Sequence, residues 1–199
     1  MENKKEIRFL AENLEVRNND TDDEKMIIEG YAVVFESPAK HGFTEIIDKN
    51  AFNECDMRDV PLKYNHSDNF LILARTRNNS LQLILDDKGL KIVATLIDTT
   101  NNRDIYKMIE AKLLDKMSFA FTVSEEDWDY ETDTRRILKI DKLYDVSVVD
   151  TPFYDTTSIY ARALSTLEDG KKKLDSLKEQ RELARKRLQT KIKLMLGGI

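Results

Sequence analysis

Three side chains in this sequence, Ser118, His66 and Asp145, have neighbourhoods that permit nucleophilic chemistry. In Lys116-Met117-Ser118-Phe119-Ala120-Phe121, an extended backbone turns the two phenylalanines to one face and Ser118 and Ala120 to the other. A hydroxyl on the small-residue face has open space before it, as a nucleophile meeting a carbonyl requires. The same pattern also suits an ordinary strand that packs its aromatics and leaves a serine at the surface. His66 follows a strand pattern in the polar run Tyr-Asn-His-Ser-Asp, where it reads either as a surface turn residue or as the general base of a serine. Asp145 interrupts the apolar run Leu143 to Val149, sharing a face with Leu143, Ser147 and Val149. A carboxylate there must reach water or find a partner, and an imidazole is a suitable one.

Other polar residues carry weaker chemistry. Cys55, between Glu54 and Asp56, is expected on a short helix; it reads as a half-buried structural thiol, with a Cys55–His66 pair as the functional alternative. His41, after Pro38, reads as an exposed loop residue. With two histidines and one cysteine, a His/Cys zinc site lacks ligands. The acidic group Glu125, Glu126, Asp127, Asp129, Glu131 and Asp133 has neither the glycine nor the spacing of a calcium loop and reads as a solvated hairpin. The glycines form no phosphate-cradling fingerprint.

The elements that must position these residues are mostly short strands. Ile7–Leu10, Leu14–Val16, Met26–Phe35, Phe43–Ile47, Val60–Tyr64, Leu71–Thr76, Leu81–Leu85 and Leu90–Leu96 all have strand patterns, with Gly30 as a possible bulge. Asp86-Asp87-Lys88-Gly89 is the clearest hairpin connection. Asp48-Lys49-Asn50 reads as the cap of a short helix beginning at Ala51. Ile105, Met108, Ile109 and Leu113 mark one face of an amphipathic helix between Asn101 and Asp115. Beyond the Ser118 strand, a hairpin tip at Trp128–Arg136 leads to strands at Arg136–Ile140 and Leu143–Val149, stopped by Thr151-Pro152. Many short strands with few helices predict a mainly β, α+β body, built as a barrel-like or strongly curved antiparallel sheet with flanking helices.

The 199 residues divide by charge. From Ser165 onward ten basic residues face five acidic ones, out of 32 and 37 in the chain, so an acidic body carries a basic tail. Leu167, Leu174, Leu177, Ala184, Leu188, Ile192 and Met195 form a narrow apolar stripe in that tail, as in a two-helix seam. A helix so constructed calls for a partner. It has no aromatics for base stacking, so its basic residues read as a solvated face, not a nucleic-acid surface. We place a catalytic-type domain at 1–163 and a basic helical tail at 164–199, joined near residues 160–165. The lone cysteine suits a reducing compartment. There is no apolar run long enough to span a membrane and no signal-peptide pattern.

Taken in order, these segments resemble the tailed-phage prohead (capsid-maturation) protease family, whose members share a fold with the herpesvirus assemblins. The resemblance runs from about Ile28 to Ala161 and rests on Gly30-Tyr31-Ala32-Val33-Val34-Phe35, Glu45-Ile46-Ile47 with Ala51-Phe52, Asn65-His66, Gly89 to Leu96 with Asp98-Thr99, Met117-Ser118-Phe119-Ala120-Phe121, and Asp145-Val146-Ser147-Val148-Val149 with Pro152. The family commonly has glutamate where Asp145 stands and often glycine where Ala120 stands; Phe153-Tyr154-Asp155 also departs from its usual small residues. The resemblance implies a serine endopeptidase with Ser118 as nucleophile, His66 as general base and Asp145 orienting the imidazole. It implies action inside the assembling procapsid, in the host cytoplasm, on capsid and scaffold proteins and on the enzyme itself. A homodimer is expected, with no cofactor, metal, nucleic acid or membrane. The tail then reads as a removable segment that recruits the enzyme to scaffold. Two other readings stand beside it: a catalytically inactive assembly or scaffold protein on the same fold, and a cysteine protease using Cys55.

Overall fold

The computed structural model describes residues 5–10, 14–17, 25–40, 42–69, 72–150, 169–183 and 185–186. His41 and the linker at 160–165 lie outside the described residues. In chain order the strands are β1 (Glu6–Leu10), β2 (Glu15–Val16), β3 (Met26–Val34), β4 (Ala39–Lys40), β5 (Thr44–Ile47), β6 (Pro61–Tyr64), β7 (Ala74–Arg75), β8 (Leu81–Leu85), β9 (Gly89–Leu96), β10 (Lys116–Asp129) and β11 (Thr134–Val149). Helix α1 (Thr100–Glu110) lies between β9 and β10.

The long hairpin β10–β11 is the frame of the larger sheet, whose order is β1-β10-β11-β5-β4, with β6 on β11 and β7 on β6. Four register irregularities between Ala120 and Glu126 let the two strands bend without separating. β11 is continuous where two strands were expected, because Asp141 and Lys142 stay exposed on a strand whose neighbours remain paired. The smaller sheet, β2-β3-β9-β8, is antiparallel throughout.

Two expectations need correction. The described strands form two open sheets, with no closed barrel among them. The larger sheet is mixed, because β11 pairs β5 and β6 in parallel along its free edge. Short polar and apolar patterns do not reveal strand direction, which is fixed by the crossovers between β5, β6 and β11.

Local chemistry explains the rest. The β8–β9 hairpin forms as read: the Asp86 carboxylate accepts from the Lys88 and Gly89 amides, each at 2.9 Å, closing the turn. Gly89 is needed for packing, since a Cβ there would lie 2.0 Å from the Val33 carbonyl oxygen. In α1 the Thr99 hydroxyl caps the Asn102 amide, and Ile105 and Ile109 are buried. Met108 is exposed on the helix, and Leu113 is exposed because the helix stops at Glu110 and Leu113 leaves its face. The helix expected at Ala51 is a series of turns, started by Asp48 accepting from the Asn50 amide at 2.9 Å. Cys55 follows those turns and is not helical. Residues 169–183 are helical as expected. They lie against the acidic hairpin tip, where Lys171 and Lys178 pair Asp133 and Glu131 at 2.7 and 2.8 Å. That tip is therefore partly covered by the tail, and not solvated all round.

β1 is fastened by charge. Arg8, Glu45 and Arg135 are each buried, and Glu6 joins them. The Arg8 guanidinium donates to Glu45 and to Glu6, while Arg135 donates to Glu45 at 2.8 Å, to Glu6 at 2.7 Å and to Glu126. Burial opposes ionisation of Glu45 most strongly, but Arg8 and Arg135 together outweigh it and hold the carboxyl below its usual range. Its folded pKa is thus depressed, so its stabilising contribution is complete above the unfolded value and lost as pH falls through the folded one. Glu45→Gln should cost about 3 kcal/mol or more at pH 7 by urea unfolding, since it leaves buried arginines under-compensated. The difference from wild type should shrink as pH falls below the ordinary glutamate range.

Candidate active site

The register of three strands brings the polar residues together. Ser118 is directly opposite Ser147, and Ala120 is opposite Asp145, so Ser118, Asp145 and Ser147 share one face of the β10–β11 pair. On the other face Phe119 and Phe121 are buried and stack at 4.7 Å between centroids, which fixes the strand that carries Ser118. β6 runs parallel to β11 and ends at Tyr64, opposite Val148, so the chain leaves the sheet beside Ser147.

There the backbone makes a deliberate turn. Asn65 and His66 both have left-handed conformations, with φ of 50° and 53°. Such a pair costs about 1–2 kcal/mol per residue and persists only where its surroundings fix it. The Asn65 amide donates to the Val148 carbonyl at 2.9 Å. The Asn65 side-chain oxygen accepts from the Asp150 amide at 3.2 Å, and the His66 amide donates to the Ser147 hydroxyl at 3.2 Å. Those bonds return the imidazole to the sheet face.

The result is a continuous polar chain. His66 Nε2 is 2.5 Å from Ser118 Oγ, and His66 Nδ1 is hydrogen-bonded to Asp145 Oδ1. Asp145 is fully buried; its second oxygen accepts from Lys5 Nζ at 3.1 Å. Burial works most strongly against its charge, but the His66 hydrogen bond and charge together with Lys5 prevail, and the carboxyl lies below its ordinary range. The ionised oxygen facing Nδ1 selects the ring tautomer with its proton there, which leaves the Nε2 lone pair toward Ser118. Ser147 Oγ adds contacts of 3.2 Å to both Nδ1 and Asp145 Oδ1. The arrangement can take a proton from the serine hydroxyl and carry the charge.

The three residues singled out from the sequence thus lie in one hydrogen-bonded chain. Ser147, Lys5 and the Arg8 carbonyl, which also touch it, were not singled out. Ser147 was placed on Asp145's face, and that was the available signal; Lys5 and Arg8 are brought in only by the pairing of β1 with β10.

The model of the family described as caudovirus prohead serine protease matches residues 12–173. The chain belongs to that family. Among solved structures, the capsid assembly protease gp21 of bacteriophage T4 aligns with a TM-score of 0.51 at 14% identity, over 76% of this chain and 100% of that one. The likeness is one of fold. A search of curated proteins found no match.

Among the described residues no group of His, Cys, Asp and Glu could hold a metal ion, and no helix is long and apolar enough to cross a membrane. Cys55 does not join the site: burial pushes its thiol up to about 12, and both ring nitrogens of His66 face other partners. At pH 8 iodoacetamide should therefore modify Cys55 in the folded chain about a hundredfold or more slowly than in urea-unfolded chain, followed by intact mass.

Proposed function

We propose that the chain is a serine endopeptidase of phage capsid maturation that cleaves capsid and scaffold proteins, and itself, inside the procapsid. The observation that carries this reading is the continuous Ser118–His66–Asp145 hydrogen-bonded chain, in a member of the prohead serine protease family. Ser118 Oγ attacks the scissile carbonyl carbon while its proton passes to His66 Nε2. The imidazolium is stabilised by Asp145 through Nδ1–H. It returns the proton to the departing amine, leaving an acyl ester on Ser118. Water then attacks the ester carbonyl, giving its proton to Nε2, and Ser118 leaves with a proton back on its oxygen. The assemblin kinship and the homodimer belong to this reading, as does the tail's role in recruiting the protease to scaffold and then being removed. The exposed Leu177 and Leu183 on the tail helix give that recruitment an apolar surface.

Wild type expressed beside Ser118→Ala under assembling conditions should truncate itself while the variant stays full length; if both remain full length, the protease reading fails and the inactive assembly protein replaces it. Against a scaffold-derived peptide, His66→Ala should lower kcat by about 10²–10⁴-fold, and Asp145→Asn by about 10⁴-fold through the wrong tautomer. Ser147 is a positioning residue in this scheme. Ser147→Ala should lower kcat by about tenfold with KM nearly unchanged, and Ser147→Thr should restore most of it.

A further inference from the structure

The tail helix is seated on the tip of the β10–β11 hairpin, far along that hairpin from Ser118. Its docking side follows from spacing: Gly170, Lys171, Leu174 and Lys178 fall at i, i+1, i+4 and i+8, along one side of the helix at 169–183. Lys171 pairs with Asp133 at 2.7 Å and Lys178 with Glu131 at 2.8 Å, so two cations on the helix meet two carboxylates on the tip. Leu174, between them, is half-buried.

Shape adds to charge. Gly170 lies so close to Tyr130 that a Cβ there would fall 1.9 Å from a ring atom. Glycine is a poor helix residue, and what it provides here is that close approach. The Tyr130 ring is itself held, because it stacks on Trp128 at 6.2 Å and 5° between planes, and Trp128 packs on Phe43 at 5.2 Å. The Arg135 guanidinium lies 5.9 Å from the Trp128 ring centre and steadies it further. The tip is therefore a built surface, an aromatic stack beside carboxylates, and it fits a helix with glycine in its first turn and lysines after it.

The same contacts are too slight to hold the helix alone. Both ion pairs are half-exposed, and such pairs gain little. Leu177 and Leu183 stay exposed, so much of the apolar stripe is not used on the tip. The covalent connection makes up the difference. In the hairpin ladder Lys116 pairs with Val149 at one end and Asp129 with Thr134 at the other. The chain leaves β11 at the first end and the tail docks at the second, with residues 151–168 between them. A tether of that length supplies an effective concentration on the order of millimolar, which fills a site that separate molecules at micromolar concentration would leave empty.

We infer that the hairpin tip is a docking surface for the chain's own basic tail helix, occupied in cis through the tether, so that one cut within residues 151–168 frees both the helix and the tip. The docking stands apart from the chemistry at Ser118; its use in tail removal rests on the self-cleavage proposed above.

The test uses the full chain with Ser118→Ala, so that nothing but an added enzyme cuts it, and with a recognition sequence for a site-specific protease in place of residues 155–161. Trp128 is the only tryptophan in the sequence, so acrylamide quenching of its emission reports the tip. At about 10 μM, nicking should cause loss of the tail piece from the body on size exclusion and should raise quenching of Trp128. Without nicking, Gly170→Val should raise quenching to the nicked level, since its side chain cannot fit against Tyr130. Lys178→Glu should also raise it, and adding Glu131→Lys should bring it back. A tail piece that stays with the nicked body overturns the dependence on the tether. Quenching unmoved by Gly170→Val, or a charge swap that does not restore it, overturns docking at the tip. None of these outcomes touches the protease reading, which self-truncation of the chain with Ser118 intact decides separately.

Discussion

A carboxylate with no exposure, set in a strand between apolar neighbours, needs partners before the sheet around it can form, and Asp145 is such a residue. Its partners come from three separate parts of the chain: His66 after β6, Ser147 two residues along β11, and Lys5 just before β1. Satisfying one buried charge therefore joins β6, β11 and the N-terminal segment. The left-handed pair Asn65–His66 is the cost of bringing the imidazole to that carboxylate, and the three hydrogen bonds to Val148, Asp150 and Ser147 are what hold it. Backbone strain and the buried charge are confined to the same few residues, where Ser118 also lies.

A second buried polar cluster lies on the opposite side of the strand that carries Ser118. Arg8 pairs with Phe119 in register, so its side chain points away from Ser118, toward Glu45 and over the Phe121 ring at 5.7 Å. β1 is thus held by ions on one face while its backbone carbonyl meets the serine on the other. A purely apolar strand at this position would bury more hydrocarbon. The buried ion pairs gain little beyond their own desolvation, but removing one partner leaves the others buried and uncompensated.

Much of this was legible in the sequence where the cause is local. The β8–β9 hairpin was readable because Asp86 closes its own turn, and α1 because Thr99 caps it and Ile105 and Ile109 repeat at helical spacing. Ser118, His66 and Asp145 were readable as candidates from residue type and neighbourhood, and their order matched a family. What could not be read depends on pairing between distant segments. Nothing near Thr44–Ile47 or Pro61–Tyr64 states that both strands run parallel to β11. The turns at 51–54 resembled a helix start because an aspartate that begins a turn and one that caps a helix use the same hydrogen bond. Lys5 and Arg8 are ordinary charged residues until the β1–β10 register places one beside Asp145 and the carbonyl of the other beside Ser118.

That register also changes what Lys116–Phe121 means. Alternation gives Ser118 a face of its own with small neighbours, and from the sequence alone that face looks open. In the fold both edges of β10 are occupied, by β11 and by β1, and the face is closed as well. A serine in the middle of a paired strand gains a fixed aim from its neighbours, since Phe119 and Phe121 cannot rotate without breaking the core beneath. It loses access by the same means. β11 packs along the whole of β10 and holds the acid, so the pairing that fixes Ser118 in place is the same pairing that brings Asp145, and through it His66, to its side.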